Sequence, residues 1–194
     1  VAAGMAMRGK RVFCYSIAPF VVFRALEQIR CDLCGMNLPV TIVPVGAGLA
    51  YGMEGMTHFA TEDLAIMRAL PNMTIYSPAD PLEAKLLTKE TLNVNGPCYL
   101  RLGAKTEPDV YDDSDKFQLN GMSCLQEKGK IAILATGTMV LRAKSAIELL
   151  KENGLEVRLF SLHTIKPFSE KQVLALSEEC EAIVTIEEHS YING

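Results

Sequence analysis

Histidine is scarce in this chain, three among 194 residues, and one of the three closes the run Gly55-Met56-Thr57-His58. Four positions before it stands an acid, Glu54. An imidazole, with a pKa near ~6.5 in model peptides, gives or takes a proton at neutral pH with little tuning, so His58 suits proton handling. Gly52 and Gly55 punctuate this stretch as a loop, and a helix is expected just beyond it, so polar side chains here can face a cleft. The plainer reading of the same pattern is a surface loop carrying a solvated histidine.

Six cysteines offer a second chemistry, because Cys31 and Cys34 form a Cys-x-x-Cys pair. On a helix that spacing turns both thiols the same way, which permits a redox pair or half of a metal site. No second pair or histidine cluster completes a zinc set, and cysteine also serves as a small buried apolar residue. Structural thiols are expected. Gly137-Thr138 after a strand suggests an anion site at the next helix N-terminus, although a plain turn needs only the glycine.

Short β-rich runs alternate with helical patterns along the chain. Strands are expected over 11–16, 40–45, 73–76 and 98–102, with helices over 20–30, 62–70 and 81–92 between them. Apolar residues at 22, 25, 26 and 29 give the first of these helices a core-facing stripe. Thr57 or Thr61 can cap the second, which carries acids in its first turn and Arg68 in its last, and Pro71-Asn72 ends it. Asp80-Pro81 reads as N-cap and first helical residue of the third. After a polar, Asp-rich stretch near 102–120 a second set follows: strands over 130–136, 156–162 and 182–186, helices over 140–150 and 169–176. Such alternation predicts an α/β fold around mainly parallel sheets.

The composition is that of an ordinary globular chain, 49% hydrophobic and 22% charged. A net charge of −4 with no basic stripe argues against nucleic acid as a partner. No apolar run reaches the ~18 residues a membrane span requires, and Arg8, Lys10 and Arg11 interrupt any secretory-signal pattern. A cytoplasmic protein with no membrane partner is expected.

Residues 52–80 resemble the pyrimidine-binding domain of the transketolase family, which also includes deoxyxylulose-phosphate synthase. There a Gly-Pro-Thr-His loop precedes an acidic helix, an Arg-x-Ile-Pro-Asn run, a strand and a Pro-Ala/Ser-Asp stop. Here the corresponding runs are Arg68-Ala69-Leu70-Pro71-Asn72 and Pro78-Ala79-Asp80. Val1-Ala2-Ala3-Gly4 resembles the family's small-residue helix, and Arg24-Ala25-Leu26-Glu27-Gln28-Ile29 its Arg-Ala-x-Asp/Glu-Gln-Ile helix. Pro97-Cys98-Tyr99-Leu100-Arg101 resembles its arginine-ending strand. Thr164-Ile165-Lys166-Pro167 and Thr185-Ile186-Glu187-Glu188-His189 resemble its C-terminal domain, so the likeness covers essentially the whole chain.

The resemblance implies a layered thiamine-diphosphate-binding fold over residues 1–105, a linker over 106–122 and part of a transketolase C-terminal α/β domain over 123–194. It implies thiamine diphosphate as cofactor, with Phe20 stacking on the aminopyrimidine and Phe23 in reserve. It gives His58 the proton-handling role beside the substrate oxygen. Glu54, where the family has Asp, would contact substrate hydroxyls, and Met56 replaces the family's proline. Arg101 would grip a substrate phosphate through its bidentate fork, with Lys105 assisting. The activating glutamate of an Ala-Glu-Gln motif, and the Gly-Asp-Gly motif for diphosphate and Mg²⁺, are expected outside these residues, so no metal-ligand set is assigned here. The partner would be a diphosphate-binding domain or subunit, in a homodimer or heterotetramer, and the reaction two-carbon ketol transfer between sugar phosphates or related acceptors. Rival readings are the β subunit of a 2-oxoacid dehydrogenase and a non-catalytic dimerisation domain.

Overall fold

The computed structural model describes residues 1–104, 107–112 and 117–194. Two sheets organise it. The first has the order β1-β2-β4-β3-β8, built from Val12–Ile17, Val40–Val45, Cys98–Leu100, Thr74–Tyr76 and Thr164–Lys166. Its first four strands run parallel, and β8 closes the edge antiparallel to β3. The second has the order β5-β7-β6-β9, from Ser123–Gln126, Val157–Ser161, Ile131–Ala135 and Ala182–Ile186, with only β5 antiparallel. Helices α1 (Ala2–Met7), α2 (Ala18–Val22), α4 (Asp63–Ala69) and α5 (Pro81–Glu90) accompany the first sheet. The second has α6 (Met139–Glu152) and α7 (Glu170–Glu179).

Burial explains the strand order. All six residues of β2, Val-Thr-Ile-Val-Pro-Val, are buried, as an interior parallel strand covered on both faces requires. β1 lies at the edge, where Phe13 and Tyr15 alternate outward against half-buried Val12 and Cys14. The first core joins Val22, Ile29, Leu33, Ile42, Leu64, Met67, Ile75 and Tyr99. In the second, α6 turns Val140, Ala143 and Ile147 onto Ile133, Val157 and Leu159, a stripe at helical spacing.

The expected helix over 20–30 is not one helix. α2 stops at Val22, the three-residue α3 (Leu26–Gln28) follows a turn, and the chain then winds as a wider π-helix over Ile29–Gly35. That winding separates the two thiols: Cys34 is buried while Cys31 is exposed, so they do not share a face. Asp80 caps α5 as its sequence predicts, accepting from the Glu83 amide at 2.8 Å. The α4 cap is different. Glu62 occupies the cap position with no side-chain cap bond, and its carboxylate accepts from the Thr61 amide at 3.1 Å.

The Asp-rich stretch is tied down where it is described. Asp80 accepts from the amides of Val110 (3.0 Å) and Tyr111 (3.3 Å), and Lys144 donates to the Val110 carbonyl at 2.6 Å. The Tyr111 hydroxyl donates to buried Glu83 at 2.5 Å. Burial pushes the Glu83 carboxyl up, against the lowering effect of the hydrogen bonds it accepts from Tyr111 and the Ala79 amide. Among the described residues no helix is long and apolar enough to cross a membrane.

Candidate active site

The C-terminal ends of β1 and β2, neighbouring parallel strands, each release a segment on the side where open α/β sheets hold ligands. β1 turns directly into α2, whose Pro19 stands in the first turn and whose next residue is Phe20. β2 leads into a loop over 46–60 that returns to α4. The Gly46 and Ala47 amides continue the strand by donating to Gly103 (2.9 Å) and Leu102 (3.0 Å). The loop then closes on itself, with the Ala60 amide donating to the Gly48 carbonyl at 2.9 Å. Gly48 has φ +57, a left-handed conformation that suits glycine.

Inside that loop, Gly52–Glu54 form one 3-10 turn and the His58 amide donates to the Gly55 carbonyl at 2.9 Å. The His58 ring meets Phe20 edge-on, centroids 5.1 Å apart at 68°. Its Nδ1 lies 2.9 Å from Thr57 Oγ1. Nε2 has no partner among the described residues. It donates if Thr57 gives its proton to Nδ1, and accepts if Thr57 takes one. The Arg24 guanidinium lies 4.1 Å over the Phe20 ring, a cation–π contact that the i, i+4 spacing permits and that fixes the ring's orientation.

The structure thus brings Phe20 and His58 together. Phe23 stands at the C-terminal end of α2, exposed, with no ring contact among the described residues. Glu54 lies exposed at the end of the 3-10 turn, and no described residue holds its carboxylate. Around it the loop presents Met53, fully exposed, and Met56, 78% exposed. Lys105 lies outside the described residues.

Arg101 differs from its expected role of gripping a substrate phosphate. It is 2% exposed, and its guanidinium is committed inside the protein. Nε and Nη2 bind the two oxygens of fully buried Asp63 at 2.8 and 3.0 Å. Nη2 also donates to the carbonyls of Ala60 (3.2 Å) and Glu188 (3.3 Å). The Tyr99 hydroxyl donates to Asp63 at 2.7 Å. A charge this deep requires pairing, and the fork that would suit a phosphate is spent on Asp63. Burial by itself lowers the guanidinium pKa. Asp63, with Tyr99 and Glu188, reverses the sign, so the pKa is raised. Burial first, and the Asp63 charge second, push the Tyr99 phenol well above its usual value.

Sequence reasoning reads Asp63 only as a first-turn acid, because its partner lies 38 residues away and no local spacing records the pair. It also misses Glu188, His189 and Ser190 as neighbours of the loop. The Ser190 amide donates to the Thr61 carbonyl at 2.7 Å, and the Ala65 amide to His189 Nε2 at 3.3 Å. Among the described residues, no three His, Cys, Asp or Glu gather as a metal site.

Two family models match this chain: the transketolase pyrimidine-binding domain over residues 1–106 and the transketolase C-terminal domain over 122–194. An apulose-4-phosphate transketolase subunit of Phocaeicola vulgatus is 36% identical over 195 residues, covering all of this chain and 62% of that protein. A 6-deoxy-6-sulfo-D-fructose transketolase subunit of Clostridium sp. is also 36% identical, over 194 residues, covering all of this chain and 60% of its own length. Among solved structures, a split-gene transketolase described as an inactive β4 tetramer superposes with a TM-score of 0.89 at 35% identity. That match covers all of this chain and 62% of the other. The chain therefore spans about three-fifths of the length of the curated relatives it matches. With two matching domains in order and relatives aligned from end to end of the chain, it belongs to the transketolase family.

Proposed function

We propose that this chain is the pyrimidine-binding part of a thiamine-diphosphate-dependent enzyme that transfers a two-carbon ketol unit between sugar phosphates or related acceptors. In this reading the domains divide at 106–122. The observation that carries the proposal is the Phe20–His58 pair, 5.1 Å apart at the C-terminal ends of two adjacent parallel strands. The family implies thiamine diphosphate, and Phe20 suits it: the ring is half-buried, meets the His58 ring in a T-shaped contact, and carries the Arg24 guanidinium over one face. A ring fixed in this way offers a flat face to an aminopyrimidine. Phe23, exposed one turn on, is the less favoured surface.

When bound, thiamine diphosphate supplies the electron sink that carbon–carbon cleavage beside a ketose carbonyl requires. The chain's own residues bind, orient and move protons. His58 Nε2 exchanges a proton with the substrate oxygen next to the reacting carbon. Glu54 accepts hydrogen bonds from substrate hydroxyls, its carboxylate reaching on the order of 1 Å further than an aspartate would, which alters substrate selection. Diphosphate and Mg²⁺ fall to a partner domain or subunit, in a homodimer or heterotetramer. The exposed Met53 and Met56 beside Glu54 support a site completed by such a partner. A cytoplasmic location is part of the same reading.

In the complete assembly, His58→Ala is expected to lower turnover by roughly 10²-fold or more in a ketose-phosphate donor assay. Unchanged turnover removes His58 from the chemistry. Activity on 2-oxoacids instead of ketose phosphates replaces ketol transfer with the dehydrogenase-subunit reading, and failure on both leaves the dimerisation reading.

A further inference from the structure

Between Gly48 and Ala60 the backbone of the loop bearing Glu54 and His58 bonds to itself, so beyond the Phe20–His58 contact its height above the sheet is decided at that neck. Both legs of that neck touch one segment of the second domain. On the first leg, the Glu188 side chain lies directly against Gly48. A Cβ on Gly48 would sit 2.3 Å from Glu188 Oε2 and 2.4 Å from its Cγ. That carboxylate is itself anchored to α6, accepting from Thr138 Oγ1 at 3.3 Å. On the second leg, the Glu188 carbonyl shares Arg101 Nη2 with the carbonyl of Ala60. The Ser190 amide holds the next carbonyl, Thr61, at 2.7 Å. His189 reaches one turn further, its Nε2 accepting from the Ala65 amide at 3.3 Å in α4. Nε2 accepts only in the neutral ring with its proton on Nδ1, and Nδ1 lies 2.8 Å from the Ser190 carbonyl, to which it donates.

We infer that Glu188 and His189 are positioning residues for His58, and that the Glu188–Ser190 strap lets the second domain set the geometry of the catalytic loop in the first. The inference rests on the proposed role of His58 and goes beyond it. His58 stands two residues from Ala60, so a shift of the neck is passed to the imidazole nearly undiminished. Misplacement of a catalytic group by about 1 Å costs on the order of 10²-fold in rate. The strap acts through the Glu188 side chain on the first leg, and through backbone groups and the His189 ring on the second. Releasing the side-chain contacts therefore loosens the loop and leaves the Asp63–Arg101 pair in place.

Glu188→Ala and His189→Ala test this in the assembly with its diphosphate-binding partner. The expected result is a fall in kcat of ~10-fold or more with KM changed by less than about threefold. Glu188→Gln, which still covers Gly48 and accepts from Thr138, recovers most of the lost kcat. His189→Gln does the same by offering an amide oxygen to Ala65. Amide hydrogen exchange is read alongside, without substrate. Residues 49–61 are expected to exchange roughly 10-fold faster in the alanine variants, with β6 and β7 unaltered. Exchange over 49–61 that matches the wild type, or that rises equally in both domains, overturns the strap. So does a kcat loss that the glutamine variants fail to recover. An unmutated assembly with no ketol transfer sinks the functional reading alone, because the exchange comparison stands without it. Where an alanine variant fails to fold, Thr138→Val, which removes only the hydroxyl that anchors the Glu188 carboxylate, carries the same exchange test.

Discussion

Arg101, Asp63 and Tyr99 form a buried polar trio whose members satisfy one another: two guanidinium hydrogen bonds and one phenol hydrogen bond converge on a single carboxylate. Such a group stabilises little against an apolar alternative, yet removing one member strands the others. Arg101→Met is therefore expected to lower unfolding stability by about 3–5 kcal/mol, measured by urea denaturation, because the buried Asp63 carboxyl loses the guanidinium that pairs it. A variant that unfolds like the wild type but loses affinity for phosphorylated donors would return Arg101 to the substrate. The pair also shows why part of the site was illegible. Resemblance singles out an arginine at a strand end, but such an arginine looks the same whether it faces a ligand or a carboxylate 38 residues away. His58 and Phe20 each follow a recognisable loop or strand end, which is what singles them out in the sequence. Their meeting at 5.1 Å depends on β1 and β2 being neighbours, which no local pattern states.

Segments that carry no period can still be pinned, as His163 shows. Its buried ring stacks on Phe117 at 4.9 Å, and its Nε2 lies 2.9 Å from the Gln118 carbonyl, to which it donates. Nδ1 accepts from Thr164 Oγ1 at 2.9 Å, so this histidine joins the Asp-rich stretch to β8. Burial lowers its pKa from 6.5 to about 4, the Gln118 hydrogen bond opposing weakly. The folded state thus keeps the ring neutral to about pH 4 while the unfolded chain takes up a proton near 6.5. Stability is therefore expected to fall as pH drops through that window, by about 3 kcal/mol in all. Urea midpoints between pH 4 and 7 check this against His163→Gln, which lacks the titrating ring; equal slopes for the two proteins would refute it. The legible strands are those with an apolar run, whether buried like β2 or largely exposed like β9 (Ala-Ile-Val-Thr-Ile). Val-Thr-Ile-Val-Pro-Val announces an interior strand, whereas β5 (Ser-Cys-Leu-Gln) and β8 (Thr-Ile-Lys) are short, polar edge strands whose pairing depends on tertiary partners. The stripe at 22, 25, 26 and 29 did mark a core face, with Val22 and Ile29 buried, but could not reveal the turn and π-winding that carry it.

The molecule as a whole is joined across its two domains by more than a linker. β8 belongs to the second domain in sequence and to the first sheet in space. The Ser77 amide donates to the His163 carbonyl at 2.8 Å beside it, and Lys166 donates to the carbonyls of Arg68 (2.9 Å) and Leu70 (2.5 Å) at the end of α4. With these bonds, the Arg101 bridge and the strap all crossing the boundary, the domains are expected to unfold in one transition. Far-ultraviolet circular dichroism and protease susceptibility should give coincident urea midpoints; two separated midpoints would show that the halves stand alone.

The β3–β8 pairing has a consequence in time. The strand that covers the edge of β3 is encoded roughly ninety residues after its partner. A ribosome adding about 5–20 residues per second therefore leaves that edge open for on the order of five to twenty seconds in every newborn chain. During that interval the first sheet is a template for any extended segment nearby, and residues 164–166 act as its built-in stopper, delivered last.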